Sequence, residues 1–365
     1  MAHESDHPEI SVIIPAYKEA DNLSHLIPQV AQQLHCRDGG GEIIVVYDES
    51  GDGTVELCRD LGASYPVRIV RRKGKRGLSR AVLRGTQEAC GKILVVMDAD
   101  LSHPPARIPD LVAALDDETV DMAIGSRYVE GGGTEDTWGV LRALNSRIAT
   151  LMARPLVDIA DPMAGFFAIR RTTLEAAERL NPVGYKIGLE LMVKCHCQNI
   201  KEVPIYFRNR KFGESKLTFG EQLKYVWHVL RLMDYKYERW TCFLKFCLVG
   251  GTGVAVDLLS LWMLLKLLPF VLARAVAIWL AMSWNFIWNR KFTFNYASAG
   301  SIPRQYVMFC GSCAVGAVLN WGISVALSST IMVSYPMISA IAGIIAGTGF
   351  NYAFNRKWTF SVKKD

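Results

Sequence analysis

Charge is spread very unevenly along this chain. Of its 35 Asp and Glu residues only two, Asp257 and Asp365, lie beyond residue 240, against ten of its 41 Lys and Arg residues. The same last third holds four long apolar segments, approximately 243–265, 271–289, 305–328 and 331–354. Each is close to the ~20 residues that a helix needs to cross a hydrocarbon core. One water-soluble domain is therefore excluded. The formal charge of +6 belongs to this apolar third, so it does not mark a nucleic-acid-binding surface, which calls for a basic face on a soluble domain.

Basic residues gather before the first apolar segment (Arg239, Lys245), between the second and third (Arg290, Lys291, Arg304) and after the fourth (Arg356, Lys357, Lys363, Lys364). Lys and Arg are retained on the cytoplasmic side of a membrane, which places both termini, and everything before residue 240, in the cytoplasm. The four segments also repeat. Asn285-Phe-Ile-Trp-Asn289-Arg290-Lys291-Phe-Thr-Phe294 matches Asn351-Tyr-Ala-Phe-Asn355-Arg356-Lys357-Trp-Thr-Phe360, and Phe246-Cys247 with Gly253 matches Phe309-Cys310 with Gly316. Two copies of a helical hairpin account for this pattern. Just upstream, residues 218–240 place Phe219, Leu223, Val226, Trp227, Leu230 and Met233 at helical spacing between Lys224, His228, Arg231 and Lys236. That is a basic amphipathic stretch, suited to lying on an anionic membrane surface.

Before residue 218 the pattern changes to strands. Ile10–Ile14, Ile43–Tyr47, Val67–Val70, Ile93–Met97 and Val120–Ile124 are short runs dominated by Val and Ile with little polar alternation, as in parallel strands covered on both faces. Amphipathic stretches separate them: one after Asp21-Asn22, which Pro28 should start late or bend, then Leu78–Ala89 and Ile108–Leu115. Alternation of this kind predicts a doubly wound α/β sheet, whose ligands bind beyond the carboxyl ends of the strands.

Those ends are polar. They read Pro15-Ala16-Tyr17-Lys18-Glu19, Asp48-Glu49-Ser50-Gly51-Asp52-Gly53-Thr54, Asp98-Ala99-Asp100-Leu101-Ser102-His103 and Gly125-Ser126-Arg127-Tyr128. No Gly-rich phosphate loop follows the first strand, so the usual nucleoside-triphosphatase and dinucleotide readings fail. Asp98 and Asp100, one residue apart at the end of a buried strand, can face one hard cation that bridges substrate phosphates. A solvated turn is the competing reading of such a pair.

In this order the motifs VIIPAYKE, VVYDESGDGT, RGLSRAVLRG, VMDADLSHPP, IGSRYVEGG, DPMAGFFAIRR and FGESKL resemble the family 2 glycosyltransferases of GT-A fold and, within them, the dolichol-phosphate mannose synthases. The last third resembles the GtrA-like four-helix membrane family. The resemblance implies a Rossmann-like GT-A domain over 1–217, interfacial amphipathic helices over 218–240 and a four-helix transmembrane domain over 241–365. By position it implies a nucleotide pocket of Pro15, Tyr17, Glu19, Val46 and Asp48. Asp98, Ala99 and Asp100 would meet the donor diphosphate and a Mg²⁺ or Mn²⁺ ion, with Ser102 at the place of a third metal contact. Arg127, Arg210 and Lys216 would meet the phosphates, and Arg142 and Ser146 the phosphate of the lipid acceptor. Asp98, Asp100 and Arg127 would be the catalytic set. Two departures stand out: Tyr47 precedes Asp48 where many members have a second Asp, and Ser102 replaces a longer Gln.

The implied partners are GDP-mannose or another nucleotide sugar, a dolichyl or polyprenyl phosphate and the lipid bilayer; a homo-oligomer is left open. A polyprenyl phosphate is already an anionic nucleophile near neutral pH, its second pKa being near about 6. It needs no general base, only neutralisation of two anions brought together, which asks for a metal and several cations. Direct displacement with inversion at the anomeric carbon follows. Two alternatives stay open: a UDP-glucose-dependent polyprenyl-phosphate glucosyltransferase, and a non-enzymatic carrier of lipid-linked sugar.

Overall fold

A computed structural model describes residues 8–361 except 37–38, 75, 136–139, 179, 182–183, 185, 209–218, 298–299 and 331–335. The chain divides into two compact units, Met1–Lys236 and Tyr237–Asp365.

The first unit opens with β1 (Ile10–Ala16), α1 (Ala20–Gln33), β2 (Gly41–Asp48), α2 (Thr54–Leu61), β3 (Val67–Arg72), α3 (Leu78–Glu88), β4 (Ile93–Val96), α4 (Ile108–Ala113) and β5 (Met122–Ser126). All five expected strands are present. Helix α1 begins directly at Ala20 and carries Pro28 within it, so the late start expected from that proline does not occur. Next come β6 (Gly133–Thr134), α5 (Val140–Ala153), β7 (Phe167–Arg170), α6 (Arg171–Glu175), α7 (Ile187–Lys194), β8 (Ile200–Pro204), β9 (Tyr206–Phe207) and α8 (Phe219–Lys236).

The main sheet has the order β3-β2-β1-β4-β7-β5-β8. Only β7 runs against its neighbours, pairing Phe167 with both Val96 and Ile124. Alternate residues of β1 serve opposite layers. Ile10, Val12 and Ile14 pack with Leu23, Leu26, Ile27 and Val30 of α1 and with Leu111 of α4. On the other face Ile13, Ile44 and Val46 pack with Val82 of α3, Leu189 and Met192 of α7 and Val229 and Leu232 of α8. Helices on both faces bury the Val- and Ile-rich stretches of β1, β2, β4 and β5, which is why those strands show little polar alternation. Since β4 and β5 remain parallel to β1, β2 and β3, the carboxyl ends of these strands share one edge, and β7 starts there.

Helix α8 corrects one sequence expectation. His228, read as part of a solvated basic face, is fully buried beside Tyr225, Val229 and Leu232. Leu223, Trp227 and Leu230 are left exposed on the other side. Burying Val229 and Leu232 stabilises by about 1.5–3 kcal/mol each, enough to decide which face turns inward.

The second unit contains α9 (Glu238–Leu264), α10 (Phe270–Trp288), α11 (Ile302–Ser329) and α12 (Pro336–Phe354). Its internal repeat is structural. Each hairpin ends in a π-helical turn, Asn289–Thr293 and Asn355–Thr359, and the equivalent rings Phe294 and Phe360 stack at 4.7 Å. Gly253 lies against the Asn285 carboxamide and Gly316 against that of Asn351, so that a Cβ on either glycine would overlap it. Glu238–Leu264 and Ile302–Leu327 are long and apolar enough to cross a membrane. Leu248, Trp262, Val307, Trp321 and Ile345 are exposed, an apolar exterior that water would penalise.

Candidate active site

A cleft of about 1410 Å³ opens along the carboxyl edge of the sheet of the first unit. Pro15 at the end of β1, Tyr17 and Glu19 just after it, Asp48 at the end of β2, Asp98 after β4 and Arg127 after β5 all line it, as does Ser146 of α5. The loops that carry them are fastened to one another. The backbone N–H of Lys18 donates to Ser50 Oγ (3.2 Å) and that of Ala20 to Asp52 Oδ2 (3.2 Å). Tyr47 is the reason the second loop holds its shape. Its buried hydroxyl accepts the N–H groups of Ser50 and Gly51, both at 2.8 Å. The residue that departs from the family pattern is thus a loop organiser.

Asp48 is drawn back by Arg72, whose Nη2 donates to Oδ2 at 2.6 Å, and Gly77 N–H donates to the same oxygen at 3.3 Å. Beside it, the Arg76 guanidinium lies over the Tyr17 ring, 4.3 Å from its centroid. Val46 and Ala99 do not reach the cleft. Both are buried, Val46 beneath α3 where it meets Gly85. Their backbones hold the strand ends instead.

At the end of β4 the chain turns sharply. Leu101 takes a φ of 61°, in the left-handed region that bulky residues avoid. Lys18, in the loop after β1, does the same with a φ of 59°. Strain of this sort persists where the surroundings fix it and is common around binding sites. The turn is fixed by Asp100: its Oδ1 accepts from Ser102 N (3.1 Å) and from Ser102 Oγ (2.5 Å). Ser102 is 1% exposed. Its hydroxyl is bonded to Asp100, behind the turn. His103 is buried as well. It accepts the Asp98 N–H on Nδ1 (3.0 Å) and stacks on Phe166 (5.2 Å). Burial pushes its pKa down, against the opposing pull of Asp98 and Asp100. A neutral imidazole bracing the Asp98 loop results.

Among the described residues no three His, Cys, Asp or Glu side chains converge to hold a metal by themselves. The carboxylates of Asp98 and Asp100 are hard oxygen donors. They fit a small divalent cation of the kind that keeps most of its waters and takes its other ligands from substrate phosphates.

Two residues that sequence reasoning missed complete the floor. Asp161, wholly buried before β7, grips Arg127 with both oxygens, Nε to Oδ2 at 2.7 Å and Nη2 to Oδ1 at 2.8 Å. Burial alone would lower the pKa of Arg127, but Asp161 more than reverses this, so the guanidinium stays charged and aimed. Lys186, just before α7, donates from Nζ to the Met163 carbonyl at 2.8 Å and also lines the cleft. Burial, helped by Arg127, pushes its pKa down to about 8, with Asp161 and Asp98 opposing.

One wall of the cleft is built by α5 and α8. Ser146 Oγ and Tyr128 OH are 2.8 Å apart, linking α5 to the residue after Arg127. Ile148, Met152 and Val226 give this wall apolar patches between Asn145, Glu221, Gln222 and Lys224. The side chain of Arg142, together with Arg210 and Lys216, lies outside the described residues. Glu190, in α7, is buried. It accepts from Lys194 Nζ and Asn181 N, both at 2.8 Å, and from Arg231 Nη2 at 3.2 Å.

Residues 11–177 match Glycosyl transferase family 2, and residues 245–364 match the GtrA/DPMS transmembrane domain. The dolichol-phosphate mannosyltransferase of Pyrococcus furiosus is 38% identical over 359 residues, 97% of this chain and all of that one. The chain belongs to the dolichol-phosphate mannosyltransferase family. The members from Mycosarcoma maydis and Saccharomyces cerevisiae are each 39% identical, over 64% and 63% of this chain and 82% and 88% of their own. Membership accounts for the sheet, which is that of the GT-A transferases, and for the attached helical unit, which is of the membrane type.

Proposed function

We propose that this protein transfers mannose from GDP-mannose to a dolichyl or other polyprenyl phosphate, with inversion, at the cytoplasmic face of a membrane. The observation that carries the reading is the two-sided cleft. Its floor and one wall are charged: Asp98, Arg127, Lys186, Asp48 and Arg76. The other wall, on α5 and α8, sets apolar Ile148, Ala149, Met152 and Val226 among polar Asn145, Ser146, Glu221, Gln222 and Lys224. A lipid-borne phosphate meeting a nucleotide sugar needs both surfaces in one place. Leu151, Leu223 and Trp227, exposed on the same two helices, continue the apolar surface outward and suit the edge of a bilayer.

The chemistry follows from this arrangement. Asp98 and Asp100 would hold Mg²⁺ or Mn²⁺, which when bound supplies positive charge to the donor diphosphate. Arg127, fixed by Asp161, and Lys186, fixed by the Met163 carbonyl, present cations to the two phosphate groups without any rearrangement at the moment of reaction. Ser146, with Arg142 on the same helix, would orient the acceptor phosphate. Direct attack by that phosphate on the anomeric carbon inverts its configuration and requires no protein base. Four membrane passes with both termini cytoplasmic would keep the cleft beside the leaflet from which the acceptor comes.

Purified full-length protein in lipid nanodiscs, given labelled GDP-mannose, polyprenyl phosphate and Mg²⁺ or Mn²⁺, should form a β-linked polyprenyl-phosphate mannose. Preference for UDP-glucose in a donor panel, or an α-linked product, would overturn the reading.

A further inference from the structure

The nucleotide end of the cleft poses a recognition problem. Asp48, the carboxylate expected to face the base, has both its oxygens within reach of Arg72 and one of them also bonded to Gly77 N–H. It is 8% exposed. The hydrogen-bonding group best placed at this end is Arg76. Its guanidinium is spread over the Tyr17 ring at 4.3 Å, and Arg76, Tyr17 and Asp48 share the cleft wall. A second cavity of about 460 Å³, lined by Asp48, Glu49, Arg72, Lys73, Gly74 and Arg76, adjoins the same spot.

We propose that Arg76 reads the donor's nucleobase, and that its planar fork selects guanine. This rests on the reading of the protein as a nucleotide-sugar transferase and deepens it by naming how the base is chosen. The Tyr17 face holds the guanidinium by a cation–π contact, so a base entering the cleft meets a cation already oriented. Arg presents paired N–H donors in a rigid fork. Guanine offers two adjacent acceptors, O6 and N7, and this pairing is the commonest specific contact between Arg and a base. In uracil the two carbonyls are separated by an N–H donor, and in adenine N7 sits beside an amino donor. Cytosine offers an adjacent pair, but on a smaller ring that covers less of Tyr17. Arg76 therefore acts on specificity, leaving the phosphates to Arg127 and Lys186.

Displacement binding on the full chain in nanodiscs tests this with GDP, 7-deaza-GDP, CDP and UDP against wild type, Arg76→Lys and Arg76→Met. Wild type should prefer GDP over the other three by roughly 10-fold or more, the worth of one bidentate contact. Both variants should lose that preference while holding UDP within about twofold of wild type. Lys keeps the charge but not the fork, so its failure to rescue separates recognition from simple attraction. A GDP preference that survives in Arg76→Met, or an equal loss for all four nucleotides, would overturn the inference and leave the donor reading standing. A wild type that binds UDP as tightly as GDP would overturn both.

Discussion

The two ends of the main sheet use the same residue types for opposite purposes. At the amino ends of the strands Glu42, Arg170 and Arg171 close on the protein itself. Glu42 accepts from Ser11 Oγ (2.7 Å), Cys90 N (2.7 Å) and Arg68 Nε (2.8 Å), and Ser11 Oγ in turn accepts from Gly91 N (2.8 Å). Arg170 donates to the carbonyls of Val120 (2.5 Å) and Asp117 (2.7 Å), and Arg171 to those of Ala89 (2.6 Å) and Gly91 (2.8 Å). These networks tie loops to strands. At the carboxyl ends Asp98, Arg127, Lys186 and Arg76 line a cleft instead. Their supports, Asp161, His103 and the Met163 carbonyl, stand behind them. A buried charge that satisfies only its neighbours stabilises the fold. One held from behind and turned toward an opening can act on a ligand.

Asp161 is the residue that could break this division, since it lies at the carboxyl edge yet is wholly buried. Asp161→Asn should do both kinds of damage. Leaving Arg127 without its carboxylate should cost about 3 kcal/mol of stability and lower sugar transfer on the order of 10²-fold, measured by thermal unfolding and initial rates on one preparation. Loss of activity with unchanged stability would place Asp161 with the ligand-facing groups.

Glu42→Gln sharpens the comparison from the other end and has the smaller effect. It should reduce stability by about 1–2 kcal/mol, because buried Ser11 and the Cys90 and Arg68 donors lose a charged acceptor, and leave transfer unchanged. Burial works to raise the Glu42 pKa, but Ser11, Cys90 and Arg68 together hold it below the ordinary value of 4.5. A lowered native pKa gives a contribution that is complete above the unfolded value and is lost as pH falls through the native one. The gap in unfolding temperature between wild type and Glu42→Gln should therefore persist at neutral pH and close in acid below that native value. A gap independent of pH would mean that packing, not the carboxylate, is what the substitution removes.

Much of this was legible in the sequence, for reasons that differ by element. The five strands expected are Val- and Ile-rich because the sheet is covered on both faces, and the residues immediately after four of them, Tyr17, Asp48, Asp98 and Arg127, do reach one cleft. Strand β7 was hidden. Phe167–Arg170 is a short apolar run that enters between β4 and β5 in the reverse direction, and nothing local signals that reversal. Strand β8 carries Lys201, Glu202 and Pro204, residues that disguise an edge strand. Asp161 and Lys186 were missed because they precede β7 and α7 instead of following a parallel strand. The period of α8 was readable, but its inward face was not: two apolar stripes were available, and His228 joined the one that packs on the sheet.

The central claim is that the carboxyl-edge cleft, and Asp98 above all, brings a nucleotide diphosphate and a lipid phosphate together. Its most direct test compares wild type with Asp98→Asn in one mannosyl-transfer assay, using nanodisc-embedded full chain, polyprenyl phosphate and a divalent ion. The account predicts a fall on the order of 10²–10³-fold in rate with the unfolding temperature unchanged. Transfer by the variant at the wild-type rate would contradict it.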